Sequence, residues 1–397
     1  MKTYGEYEDW DCSRAALWLC DKLISYLMST VASIMVVALV VVLALLVPAT
    51  MACLAYLLPT LVGLLPRRER RVSVPTHSFV ILIPAHNEQS MLPATLQSLA
   101  VLDYPPELVR VYVVADNCTD RTATIARWGG AVCVVRSDAA NRGKGHAVAF
   151  GLDWIDRELP DIVLILDADC RLNSSALREL DAAFANGADA VQCAVRSDNA
   201  DEGPGGYVAA VGAAVDEGLA KGLDRLGLSV RLRGTGMAFR RTVLHRVPWT
   251  AFGLTEDVEY GRLLRAADVR VKHCGKAVVS CEAPAAVAEL CRQRRRWRAA
   301  GILASKPLVL VHLVAAAIVA VALGYVVWPT VLLLLTGALY LRAVWAIGLA
   351  RKRTGLMLHS PGIVLRLGWL ALAGLVRRDG ISWERTSRST ENQAAPS

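Results

Sequence analysis

A chain of 397 residues exceeds one typical domain, and a 54% apolar composition with a mean hydropathy of +0.38 is high for a soluble protein. The net charge of +8 points to an anionic partner, but the basic residues cluster beside apolar segments. Lipid headgroups, at about 1 kcal/mol per near-surface Lys or Arg, account for that charge, and no nucleic acid is required. Ten cysteines without a C-x-x-C pair argue against a zinc site or a disulfide framework and read as reduced, packed thiols.

Residues 1–29 form an N-terminal tail with Glu6, Glu8, Asp9 and Asp11 where a cleavable signal peptide would carry positive charge. The apolar run behind it therefore reads as a retained anchor. Ala15 to Leu27 offers either a short interfacial helix or the start of the membrane helix. No charged residue occurs from Thr30 to Leu65, and about 20 apolar residues suffice to cross a bilayer, so a membrane segment is placed at 30–66. Pro48 and Pro59 leave a kinked single span and a tight hairpin both open. Arg67, Arg68, Arg70 and Arg71 then put the following domain in the cytoplasm by the positive-inside rule.

From Phe79 to about Lys306 apolar runs alternate with amphipathic stretches, the pattern of an α/β domain with a mostly parallel sheet. Phe79–Pro84 is the first buried strand, and Ser90–Leu99 a helix with Ser90 as its cap. Val109–Ala115 is a second strand ending at Asp116, ahead of a turn whose Thr or Asp caps a helix from Thr122. A third strand covers Ala131–Arg136. The basic turn Asn141-Arg142-Gly143-Lys144-Gly145 precedes a helix over His146–Asp156, and is either a solvated turn or a cation with backbone amides aimed at a phosphate. The apolar run Asp161–Leu166 then ends in Asp167-Ala168-Asp169. Acids beyond the carboxyl end of a buried strand lie where open α/β sheets bind ligands, and these hard oxygen donors suit Mg²⁺ or Mn²⁺ on a diphosphate. Alone, the pair reads equally well as a solvated turn. Ala188–Cys193 is a further strand, and no G-x-G-x-x-G or P-loop signature follows any of them.

Behind this domain, Leu308–Leu341 has Trp328-Pro329 near its middle and the cluster Arg351-Lys352-Arg353 after it, which predicts a membrane hairpin over 307–350 with both ends cytoplasmic. Ile363–Val376 is interrupted by Arg366 and closed by Arg377-Arg378. It reads as an amphipathic interfacial helix over 361–378, with a tail at 379–397.

In chain order stand Asp116, Asp167 with Asp169, Thr255-Glu256-Asp257, and Gln293-Arg294-Arg295-Arg296-Trp297. This order resembles the membrane-bound family 2 glycosyltransferases of the GT-A fold, the group that includes cellulose, hyaluronan and poly-N-acetylglucosamine synthases and some glycolipid glucosyltransferases. The match covers Phe79 to Gly301, and the domain is placed at 79–305. The resemblance implies that Pro84, Ala85, Asn87 and Glu88 line the nucleotide, that Asp116 contacts its base, and that Lys144 and Asp167 face the nucleotide sugar. It implies that Asp169 with Asp167 holds Mg²⁺ or Mn²⁺, that Asp257 is the general base, and that Glu256, Gln293, Arg296 and Trp297 lie at the diphosphate and acceptor. Leu232–Phe239 looks like the family's Gly-containing segment before the acceptor site, or is a strand entered through a turn. Trp249 is similar to an aromatic position near the acceptor but reads as core.

One base opposite the leaving group implies inversion, a β-linkage from an α-linked donor. The expected protein is thus an integral enzyme of a bacterial cytoplasmic membrane that takes sugar from a UDP-sugar in the cytoplasm. Its acceptor is a growing β-linked polysaccharide or a lipid such as a ceramide or polyprenyl type. About three spans are fewer than a self-sufficient channel needs, which leaves a channel-forming partner subunit, a homo-oligomer, or single addition to a lipid. A sugar nucleotidyltransferase would use similar acids but needs neither anchors nor Asp257, and a non-catalytic membrane scaffold would not need the retained carboxylates.

Overall fold

The computed structural model describes residues 12–66, 74–284, 286–299, 306–348 and 351–376. The clusters Arg67, Arg68, Arg70, Arg71 and Arg377-Arg378 lie outside the described residues, as do Glu6, Glu8, Asp9 and Asp11. Two compact units are present. One holds the described residues up to Ala52 with His312–Leu333, the other Cys53–Val311 with the described residues from Leu334 onward.

Helix α1 runs unbroken over Cys12–Leu64. Neither proline starts a hairpin, so of the two readings left open by Pro48 and Pro59 the single helix is the one adopted. At 1.5 Å per residue it is roughly 80 Å long, far beyond the ~30 Å of a hydrocarbon core. Leu17–Leu64 within it and Val327–Ile347 are long and apolar enough to cross a membrane by length and composition.

The central domain then alternates strands and helices: β1 (Phe79–Ala85), α2 (Leu92–Ala100), β2 (Val109–Asp116), α3 (Thr122–Trp128), β3 (Val132–Arg136), α4 (Lys144–Ile155) and β4 (Ile162–Ile165). After β4 come β5 (Cys170–Leu172), α5 (Ala176–Ala185), β6 (Ala190–Ser197), α6 (Pro204–Arg225), β7 (Met237–Arg240), α7 (Arg241–Arg246), α8 (Glu256–Ala266) and β8 (Val271–Cys281). The α2 helix starts later than its sequence signal, with Met91 and not Ser90 at the N-cap and a proline in its first turn. The Asp120 carboxylate accepts from the Thr122 N–H at 2.9 Å and so ties down the start of α3.

One eight-stranded sheet in the order β3-β2-β1-β4-β7-β6-β8-β5 organises the domain. The sheet is mixed, a correction to the mostly parallel expectation. Four neighbouring pairs are parallel and three, β4 with β7, β6 with β7, and β5 with β8, are antiparallel. The chain re-enters the sheet at β7 through a turn in which Gly234 and Gly236 both have positive φ, at the end where β4 leaves it. β7 must therefore run the other way. Because β2 and β3 extend from one side of β1 and β4 from the other, the order reverses at β1, and a crevice opens beyond the carboxyl ends of β1 and β4.

Strand β1 is buried at all seven positions and feeds both faces of the sheet. Phe79, Ile81 and Ile83 join Leu164, Leu177 and Phe184 on one face, and Val80 and Leu82 join Val163, Ile165, Phe239 and Tyr260 on the other. Full burial of each such side chain contributes about 1.5–3 kcal/mol. Trp249 is core, packed on Tyr260 at 4.4 Å between ring centres. Cys170 stands opposite Cys281 across β5 and β8, with Cα atoms 4.6 Å apart, and the two form a disulfide. That corrects the expectation of reduced thiols throughout, while seven other described cysteines form no disulfide.

Within this unit α6 lies directly on the end of α1. A Cβ added at Gly222 would sit 1.6 Å from the carbonyl oxygen of Pro59, and one at Gly63 would meet the Gly218 carbonyl at 2.9 Å. Gly222→Ala must push the helices apart, so it is expected to destabilise by about 1–3 kcal/mol, read as a lowered melting midpoint. An unchanged midpoint would show that the helices do not touch there.

The remaining helices are α9 (Val287–Ala299), α10 (Lys306–Ala322), α11 (Val327–Ile347) and α12 (Arg351–Val376). The turn between α10 and α11 falls at Gly324, with φ +87°, ahead of Trp328-Pro329. Pro329 sits in the first turn of α11, where its missing N–H costs nothing. Helix α12 begins at Arg351, earlier than the expected 361, and continues through Pro361. Its Ile363 and Leu367 are buried against Leu290 and Cys291 of α9, while Leu358, Leu365 and Trp369 are exposed.

Candidate active site

The crevice floor is built by the loops that follow β1, β2 and β4. The loop after β1 is locked onto the loop after β2. Asn87, held at φ +55°, accepts on Oδ1 from the Thr119 N–H at 2.8 Å, and the Glu88 N–H donates to Thr122 Oγ1 at 2.8 Å. His86 Nδ1 lies 2.7 Å from the carbonyl oxygen of Asp116. Pro84 and Ala85 are buried in the strand beneath. Asp116 is itself buried and ion-paired to Arg136 at 2.7 Å.

Lys144 is the centre of the site. Glycines on either side let it reach there: Gly143 has φ +128°, and a Cβ on Gly145 would lie 2.1 Å from the Ala251 carbonyl oxygen. From the first turn of α4, Lys144 Nζ contacts Asp167 Oδ1 at 2.6 Å and Glu256 Oε1 at 3.2 Å, and donates to the Gly234 carbonyl at 2.6 Å. Burial pushes the Lys144 ammonium pKa down, but the charges of Asp167 and Glu256 outweigh it and hold the group above its ordinary value. One cation thus joins the acids after β4, the acids that open α8, and the loop before β7.

Glu256 and Asp257 occupy the first turn of α8, where the helix dipole favours negative charge. Burial nevertheless raises the pKa of Asp257, partly offset by the charges of Arg231 and Lys144. Glu256 is raised for the same reason, against Lys144 and with the help of Asp257. Asp167, Asp169 and Cys170 bring a potential ligand atom each within 4.8 Å of one another. The Cys170 sulfur is bonded to Cys281, so the donor set open to a cation is two hard carboxylates. That set fits Mg²⁺ or Mn²⁺ completed by diphosphate oxygens.

Sequence reasoning overlooked two supports. Gln192, buried on β6, donates from Nε2 to the Thr235 carbonyl at 2.9 Å and accepts on Oε1 from the Arg233 N–H at 2.9 Å, which fixes the loop carrying Gly234. Thr235 Oγ1 in turn accepts from the Asp167 N–H at 3.1 Å. Arg136, the partner of Asp116, is the other. No local pattern marks either, because each is defined by a strand neighbour far away in sequence. Gln293 lies on α9 with Arg296 and Trp297, whose side chains are outside the described residues.

A family model described as "Glycosyltransferase like family 2" matches residues 75–300, more than half of the chain. Among curated relatives, a beta-monoglucosyldiacylglycerol synthase of Synechocystis sp. is 28% identical over 238 residues, 58% of this chain and 49% of the relative. A probable glycosyltransferase, YdaM, of Bacillus subtilis is 26% identical over 238 residues, 58% of this chain and 56% of the relative. The chain spans about half the length of these curated relatives. Among solved structures, the mannosyltransferase PcManGT from Pyrobaculum calidifontis, in complex with GDP-Man and Mn²⁺, superposes with a TM-score of 0.54 at 20% identity, covering 85% of this chain and 98% of that one. That likeness shows the α/β, GT-A-like fold, and the family match over more than half of the chain shows the family: the chain belongs to the family 2 glycosyltransferases.

Proposed function

We propose that the protein transfers one sugar from a UDP-sugar, with inversion, to a lipid acceptor at a membrane surface. The observation that carries this reading is the convergence on Lys144. Asp167 at the end of β4, beside the acid that suits the donor diphosphate, and Glu256 opening α8, beside the acid that suits an acceptor hydroxyl, lie 2.6 Å and 3.2 Å from the same ammonium. Donor and acceptor chemistry therefore share one crevice. The names of the diacylglycerol glucosyltransferase relatives favour a lipid over a polymer, and the long apolar helices suit an enzyme that meets its acceptor in a bilayer.

In this reading the base lies against Asp116, and Asp167 and Asp169 would hold a divalent cation, which when bound would supply positive charge against the departing diphosphate. Lys144 adds a fixed positive charge next to it. The acceptor oxygen attacks the anomeric carbon as the bond from that carbon to the diphosphate oxygen breaks, and Asp257 takes the acceptor's proton. Gln293, Arg296 and Trp297 on α9 are assigned to the diphosphate and acceptor side.

The test supplies radiolabelled UDP-glucose and diacylglycerol to membranes containing the full chain. Label that extracts with lipid, only when the diacylglycerol is present, is the expected result. Label retained as insoluble polymer would assign a polysaccharide acceptor instead.

A further inference from the structure

The two carboxylate oxygens of Asp116 are not equivalent. Oδ1 accepts from Arg136 Nη1 at 2.7 Å and from Asn117 Nδ2 at 3.0 Å, which fills both of its lone pairs. Oδ2 accepts no hydrogen bond from the described residues. This asymmetry is locked in place. Arg136 is the register neighbour of Asp116 across β2 and β3, is 8% exposed, and donates its other nitrogen to Asp138 Oδ2 at 2.8 Å. Asp138 and Asn117 close the loop around it: the Asp138 N–H donates to Asn117 Oδ1 at 2.9 Å, Asn117 Nδ2 donates to the Asp138 carbonyl at 3.1 Å, and the Asn117 N–H donates to the Arg136 carbonyl at 2.7 Å. With Oδ1 clamped on two sides, the carboxylate cannot turn to offer both oxygens to a ligand.

We propose that Arg136 is a specificity-determining residue which, by occupying one oxygen of Asp116, makes the base pocket select uracil over guanine. The inference rests on the nucleoside-diphosphate reading of the crevice given above. Uracil presents a single imide N–H between two carbonyls, which one free carboxylate oxygen satisfies. Guanine presents two adjacent N–H donors, which a carboxylate normally takes one on each oxygen. Here the second guanine donor would be stripped of water and meet an oxygen already filled, a mismatch that costs about tenfold or more in affinity. Adenine and cytosine turn a ring-nitrogen acceptor toward the same edge and are repelled by the carboxylate.

Calorimetric titration of the detergent-solubilised full chain with UDP and with GDP, each in the presence of Mn²⁺, tests this. The wild type is expected to prefer UDP by about tenfold or more, and Arg136→Met to bring that ratio close to one by freeing Oδ1. Asn117 has φ +49°, so Asn117→Gly keeps the backbone turn and the buried ion pair while removing one of the two donors to Oδ1 together with the side-chain bonds to Asp138, and is expected to lower the ratio by a smaller factor; it decides the question if Arg136→Met does not fold. Equal losses of UDP and GDP affinity in both variants would mean that Arg136 only supports the fold, and would overturn the inference while leaving the pocket intact. A wild type that prefers GDP overturns it as well. A wild type that binds neither nucleotide overturns both the pocket reading and the inference.

Discussion

Asp257→Asn is expected to bind UDP with near wild-type affinity and to transfer sugar about 100-fold more slowly or worse. Asparagine keeps the shape and the place in the first turn of α8 but cannot accept a proton. Burial raises the pKa of Asp257, which makes it a stronger base than an exposed carboxylate and also sets a pH signature. In the role of base the ionised form is the active one, so the wild-type rate should fall as pH drops through a pKa raised above that of an exposed aspartate. The same shift has a stability consequence of opposite sign. A carboxylate whose pKa rises on folding weakens the fold at pH above its unfolded value, so at neutral pH the neutral Asn variant should melt no lower than wild type. Rate, UDP affinity and melting midpoint measured on one preparation separate the cases. Near wild-type turnover would pass the role of base to Glu256, and a joint loss of affinity and stability would make Asp257 a structural residue.

The parallel half of the sheet was legible because its strands are uninterrupted apolar runs, such as Phe79–Ala85, that must be buried on both faces. A strand entered through a turn was one of the two readings of Leu232–Phe239, but its antiparallel direction was not legible, since the four residues of β7 carry no directional signal until β4 and β6 flank them. Pro48 and Pro59 were ambiguous because a proline within a long apolar helix is tolerated wherever the freed carbonyl finds another donor. The acids of the candidate site could be named from their order along the chain, but their junction could not. Lys144 meets Asp167 and Glu256 only because Gly145 lets α4 settle against Ala251. Likewise Cys170 and Cys281, 111 residues apart, become neighbours only when β5 folds back onto β8.

Loss of the metal site is the other change expected to stop transfer. Asp169→Ala should lower the rate by about 100-fold or more, and a chelator should do the same to wild type until Mn²⁺ or Mg²⁺ is restored. The two acids are not interchangeable. Asp167 is held by Lys144 at 2.6 Å and through its backbone N–H by Thr235, so removing it would also release the loop before β7 and the cation shared with Glu256. Removing Asp169, whose Oδ1 has the Cys170 sulfur at 3.3 Å, leaves the junction of Lys144 with Asp167 and Glu256 in place, which makes it the cleaner probe. The control is a thermal shift. Mn²⁺ with UDP should raise the melting midpoint of wild type and leave that of Asp169→Ala unmoved, because a ligand stabilises only the form that binds it. Full wild-type activity in chelator, or an equal metal-dependent shift in the variant, would exclude Asp169 as a ligand and leave Lys144 as the principal positive charge facing the diphosphate.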